Sequence, residues 1–133
     1  MNILVTQAKT SRSPVTIMRV VGDIDGSNYT DLISEAEQAV NNGTLHILLD
    51  LTEVSYMSTA GMVALQTISR LLRGEHGSME GWAAIKDVPE GAGAQAHLKL
   101  LNPGKRIKSS LEALGLTKFF PIFTDEKKAL ASF

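Results

Sequence analysis

A chain of 133 residues suits one domain and is long enough to bury an apolar core without disulfide or metal staples. Its 13 basic and 14 acidic side chains leave a net charge of −1, which argues against nucleic acid or an anionic membrane surface as the main partner, and 5% aromatic residues leave little for stacking on bases or sugars. The absence of cysteine excludes disulfides, thiol nucleophiles and cysteine-based metal sites, and fits a reducing compartment.

The first stretch, NILVTQA, is strand-like, SRSP interrupts it, and VTIMRVVGDID is a second strand ending at Gly22. In that second strand Val15, Ile17 and Arg19 share one face and Thr16, Met18 and Val20 the other. The pair is expected to form a hairpin. GSNYTDLISEAEQAVNNG carries Leu32, Ile33, Ala36, Ala39 and Val40 at helical spacing; Ser27 or Asn28 can cap its start and Gly43 can end it in a left-handed turn. TLHILLDLTEVSYM is the most strand-like segment, and its run Ile47, Leu48, Leu49 suits a strand covered on both faces. A helix is expected from 59 to about 73, with Met62, Leu65, Ile68, Leu71 and Leu72 apolar and Ala60, Gly61 and Ala64 keeping one side thin. Residues 74–96 hold five of the 11 glycines and read as a long loop. HLKLL is a further strand. NPG opens a helix with Ile107, Leu111 and Leu114 on one face and Gly115 past its end, FFPIF is a short strand, and DEKKALASF a short helix. The order β-β-α-β-α-β-α-β-α implies an α/β domain with a mostly parallel sheet, an opening hairpin and about four packed helices.

Two adjacent hydroxyls, Ser58 and Thr59, stand at the head of the 59–73 helix. Either can cap it by accepting a helix N–H, an interaction worth ~1 kcal/mol. One hydroxyl suffices. If Ser58 caps, Thr59 occupies the first helical position with its oxygen toward solvent. A phosphate there would meet free N–H groups and the positive end of the helix dipole. A partner pressed against that helix end would instead face an added charge of about −1.5 to −2.

Three stretches carry a family likeness. GDID at Gly22–Asp25, ILLDLTEVSYMSTAGM at Ile47–Met62, and HLKLLNPGKRIKSSLEALGLTKFFPIFTDEKKAL towards the end together resemble the STAS domain of bacterial anti-sigma factor antagonists in order and spacing. The likeness covers nearly the whole chain except 74–96. It implies a STAS-like fold and a binding switch in place of an enzyme. The position two before the signature glycine, here Thr59, corresponds to the phosphoacceptor. The preceding position, often Asp, is Ser58, which becomes a competing acceptor, and the following position, often Ser, is Ala60. The resemblance sets Asp23 and Asp25 beside the acceptor, with Asp25 placed to orient the Thr59 hydroxyl or touch a kinase, and gives Ser58, Ala60, Gly61 and Met62 as switch support. It implies an anti-sigma factor/serine kinase of GHKL type and a serine/threonine phosphatase as partners. The alternative is an accessory or scaffold subunit of a transporter or stressosome-type complex that is never phosphorylated.

The remaining candidates read as structural. Asp23 and Asp25 also suit plain turn chemistry, and Asp50 suits holding loop N–H groups. His46, His76 and His97 show no metal-ligand spacing; His46 and His97 read as solvated strand ends. Trp82, with Met79 and Ile85, suits pinning the 74–96 loop to the body more than serving as a partner anchor. GKRIK at 104–108 is a small basic turn. No phosphate-binding loop, nucleophile elbow or cofactor motif is present, so no cofactor or catalysis is expected. No apolar run reaches the ~18–20 residues of a membrane span and the first residues lack a secretion signal, so a cytoplasmic protein is expected.

Overall fold

The computed structural model describes residues 1–9, 14–74 and 97–133. Strand β1 (Asn2–Lys9) and strand β2 (Pro14–Val21) form the expected antiparallel hairpin, in register from Asn2 against Val21 to Lys9 against Pro14. Helix α1 (Tyr29–Asn41), strand β3 (Ile47–Glu53), helix α2 (Thr59–Leu72) and strand β4 (Leu98–Leu101) follow. Helix α3 (Lys105–Ala113), a 3-10 turn (Leu116–Lys118), strand β5 (Ile122–Phe123) and helix α4 (Glu126–Ala131) complete the described residues. The sheet has five strands in the order β1-β2-β3-β4-β5, and every pair after the hairpin is parallel. The fold is thus the mixed α/β sheet with packed helices that the element order implied.

The alternation in β2 and β3 decides which helices cover which face. Met18, Val20, Ile47, Leu49 and Leu51 point to one side, where they pack with Leu32 and Ala36 of α1 and with Met62, Leu65 and Ile68 of α2. Val15, Leu48 and Leu101 point to the other side, beneath Ala129 and Phe133. Helix α2 is buried on most of its sides, Gln66 and Ser69 included, whereas α1 buries only the Leu32 and Ala36 stripe. The buried Ser69 hydroxyl on α2 is satisfied by donating to the Gln66 carbonyl at 2.8 Å.

Three expected boundaries move, each for a local reason. Strand β3 starts at Ile47 because the Thr44 N–H is taken by the Ala39 carbonyl at the end of α1, at 3.0 Å. It stops at Glu53 because Val54 turns back to the Leu51 carbonyl at 3.1 Å. The FFPIF strand shrinks to Ile122–Phe123: Pro121 has no N–H to give a ladder, and Phe119 and Phe120 are spent in the core. Gly43 does adopt the left-handed turn, with φ +98°. The expected loop at 74–96, with His76, Met79, Trp82 and Ile85, lies outside the described residues beyond Gly74. No described helix is long and apolar enough to cross a membrane.

Candidate functional site

Parallel strands bring the loops after β2, β3 and β4 to one edge of the sheet, and backbone bonds join the first two. Gly22, at φ +106°, lets the chain turn out of β2, and its N–H donates to the Glu53 carbonyl at 3.1 Å. Ile24 then donates to the Tyr56 carbonyl at 3.0 Å, and the Ser58 N–H donates to the Ile24 carbonyl at 2.9 Å. Ile24 and Met57, both buried, form a single parallel bridge. The acidic turn and the hydroxyl loop are therefore one stitched unit. Gly61 completes it: a Cβ at that position would lie 2.3 Å from Met57 Cγ and 3.1 Å from Ile24 Cγ2.

Thr59 is the first residue of α2; it is exposed, and its hydroxyl has no bonding partner among the described residues. Ser58 stands at the N-cap position with extended backbone, and its carbonyl accepts from Gly61 N–H at 2.9 Å. Its side chain does not cap, contrary to the expectation from sequence: Oγ is buried and has no hydrogen-bond partner among the described residues. Gly61 and Met62 are buried and Ala60 half-buried, so these three shape the helix start from within.

Asp23 is exposed and Asp25 half-buried. The Asp25 carboxylate accepts from both the hydroxyl and the N–H of Ser27, and these two bonds, the hydroxyl first, hold its pKa below the ordinary aspartate value. No hydrogen bond joins Asp25 to Thr59, so Asp25 does not orient that hydroxyl here. Asn28 clamps the turn from the other side. Its Oδ1 accepts from Asp25 N–H at 2.9 Å and its Nδ2 donates to the Asp23 carbonyl at 2.9 Å. Sequence reasoning treated Ser27 and Asn28 only as helix caps; the habit of Asn and Asp side chains of bonding nearby backbone was the available signal. Asp50 accepts from the N–H and hydroxyl of Thr52, so it braces its own strand and not, as the sequence suggested, the N–H groups of the following loop.

The far edge of the sheet differs from expectation. His46 and His97 are half-buried, not solvated, and their Nδ1 atoms lie 3.1 Å apart. The ring centroids are 5.0 Å apart and the planes 22° from parallel, so the rings lie offset and stacked, and the two nitrogens share a hydrogen bond when one Nδ1 carries the proton and the other does not. Among the described residues no group of three or more His, Cys, Asp or Glu is placed to hold a metal ion.

A model of the STAS domain family matches residues 6–80, more than half of the chain. The fold is shared with solved structures of low identity. An anti-sigma factor antagonist from Mycobacterium paratuberculosis is 17% identical, with a TM-score of 0.65 over 98% of this chain and 93% of that one. The anti-sigma factor antagonist SpoIIAA in unphosphorylated form is 16% identical, with a TM-score of 0.65 over 95% and 92%. SpoIIAA from Bacillus in phosphorylated form is 16% identical, with a TM-score of 0.59 over 95% and 96%. No curated protein sequence matches the chain.

Proposed function

The chain belongs to the STAS domain family, and from that premise we propose that it is a protein-binding module, acting as an anti-sigma factor antagonist, that phosphorylation of Thr59 switches off. The carrying observation is the contrast at the head of α2: an exposed, unbonded Thr59 hydroxyl on a start otherwise fixed by the Ile24–Ser58 backbone bond and by Gly61 packed on Met57. The fold it shares with anti-sigma factor antagonists, one of which is solved both with and without phosphate, supports the same reading.

In this reading the unmodified helix end and the Asp23–Asp25 turn dock on an anti-sigma factor that is also a serine kinase of the GHKL type. Docking frees the sigma factor. Phosphoryl transfer to Thr59 Oγ1 puts about −1.5 to −2 charges on that surface. The domain tolerates them, because the helix N-terminus favours a negative group by roughly 0.3–1 kcal/mol. The partner does not, because the charge must lose its water against the interface. A 100-fold loss of affinity needs only about 2.7 kcal/mol, within reach of one buried, unpaired charge. A serine/threonine phosphatase restores the docking form. Ser58 is the poorer acceptor, because its hydroxyl is enclosed.

The test is incubation with the kinase encoded nearest the gene, with ATP and intact-mass readout, followed by binding of Thr59→Ala and Thr59→Glu to the same kinase. One added phosphoryl group that Thr59→Ala abolishes, docking by Thr59→Ala, and at least 100-fold weaker docking by Thr59→Glu are expected. Equal docking by both variants discards the switch and leaves the accessory-subunit reading, in which the same helix end is a permanent contact.

A further inference from the structure

The loops along the edge that carries Thr59 differ in charge in sheet order. After β2 come Asp23 and Asp25, after β3 come Tyr56 to Thr59, and after β4 come Lys105 and Arg106 at the start of α3. Asn102, in the left-handed region at φ 51°, turns the chain from β4 towards that helix. Between the second and third loops lies a groove of about 380 Å³, lined by Tyr56, Met57, Lys105, Arg106 and Ile107 among others. Its floor is apolar, with Met57 and Ile107 buried, and one wall is the ring of Tyr56, a large side chain left 46% exposed. Among the described residues no carboxylate lines it. Lys105 and Arg106 are exposed and neither is in an ion pair among the described residues.

We propose that this groove seats an acidic amphipathic segment of a partner protein: one or two carboxylates on Lys105 and Arg106, and a neighbouring leucine or phenylalanine against Tyr56 and over Met57 and Ile107. The proposal deepens the reading of the α2 start as a docking face. Charge complementarity selects the occupant. Two unpaired cations beside an apolar floor match a carboxylate next to an apolar side chain, and repel a basic segment. An exposed tyrosine at the mouth of a pocket is the kind of anchor on which interface energy concentrates. The partner is then required to be bipolar, basic where it meets Asp23 and Asp25 and acidic where it meets α3. A phosphate on Thr59 would add negative charge to the loop that forms one wall of an acidic segment's seat, so the groove gives the switch a second way to act.

The probe is the capped peptide acetyl-Asp-Glu-Leu-Phe-Asp-Glu-amide, titrated into the full ¹⁵N-labelled chain, with acetyl-Lys-Lys-Leu-Phe-Lys-Lys-amide and inorganic phosphate as comparators. Saturable amide shifts centred on Tyr56, Met57 and residues 105–110 are expected with the acidic peptide alone. The double variant Lys105→Glu, Arg106→Glu should weaken binding at least tenfold, and so should Tyr56→Ala. The double variant Lys127→Glu, Lys128→Glu, which makes the same charge change on α4, should leave it intact. Binding that survives the double charge reversal, shifts centred elsewhere, no saturation, preference for the basic peptide, or the same shifts from inorganic phosphate would each overturn the assignment. No kinase enters the titration, so its failure removes the groove and leaves phosphorylation of Thr59 standing.

Discussion

Ser58 carries a hydroxyl that the fold encloses and leaves unbonded, and this separates two accounts of the same residue. A capping serine replaced by alanine costs ~1 kcal/mol. An enclosed hydroxyl without a partner already carries a desolvation cost of roughly 1–3 kcal/mol, which alanine removes. Ser58→Ala should therefore leave the urea midpoint unchanged or raise it, and a loss near 1 kcal/mol would show that the side chain caps after all. Thr59 was legible in the sequence because a hydroxyl before Ala-Gly at a helix start is a local pattern. The fate of Ser58 was not, because its enclosure depends on a loop stitched to Ile24, far along the chain.

Helix α2 and the loops around it depend on one missing side chain. Gly61 lets the helix start approach Met57 and Ile24, and a methyl group there meets Met57 Cγ well inside contact distance. Because Cγ is mid-chain and Met57 is itself buried, the collision cannot be relieved by moving a free tip. Gly61→Ala should cost about 1–3 kcal/mol, the usual range for overpacking, read as a drop in urea midpoint. It should also shift the amides of Asp23–Asp25, since the two loops are stitched. A stable variant with unmoved amides would refute the close approach. The elements themselves were readable from periodicity, down to the hairpin and the Gly43 and Gly115 stops. Two features came only from the sheet. One is the α3 start: GKRIK looked like an ordinary solvated turn until pairing of β4 beside β3 brought it next to Tyr56. The other is the His46–His97 link between the starts of β3 and β4, since strand-end histidines ordinarily sit in water. Burial, then the neighbouring His97 and Lys99, depress the His46 pKa below its ordinary value. The folded chain then takes up protons at lower pH than the unfolded chain. Stability is complete above the ordinary histidine value of about 6.5 and falls as pH drops from there through the depressed folded value. Urea midpoints should decline from pH 7.5 to pH 5, and His46→Asn should flatten that decline. A flat wild-type profile would refute the link.

The two edges of the sheet separate the small second core from the proposed switch. At the strand starts, the buried Phe133 ring lies 5.3 Å from the His46 ring, and Lys99 Nζ sits 4.6 Å above Phe133 while donating to the Ser132 carbonyl at 2.8 Å. These contacts hold the end of α4 over Val15, Leu48 and Leu101, the small core on the second face. The Thr59 edge lies at the other end of β3, whose seven residues span roughly 20 Å at about 3.3 Å each. Between the two stands a sheet whose central residues Leu48, Leu49 and Leu100 are fully enclosed. In the proposed switch a change of charge at Thr59 needs no rearrangement of the domain to be felt; it acts on whatever is pressed against it. The converse can be measured. Phe133→Ala removes the buried ring of the second core, leaving only the half-buried Phe123, and should cost about 3 kcal/mol, the lower part of the range for a buried phenylalanine, because that core is small and lies at the margin. Under folding conditions the amide shifts of Ser58–Met62 and of Asp23–Asp25 should stay where they are. Movement of those amides in a folded Phe133→Ala chain would mean that the edges communicate through the sheet, and that the switch is a property of the domain rather than of the surface at Thr59.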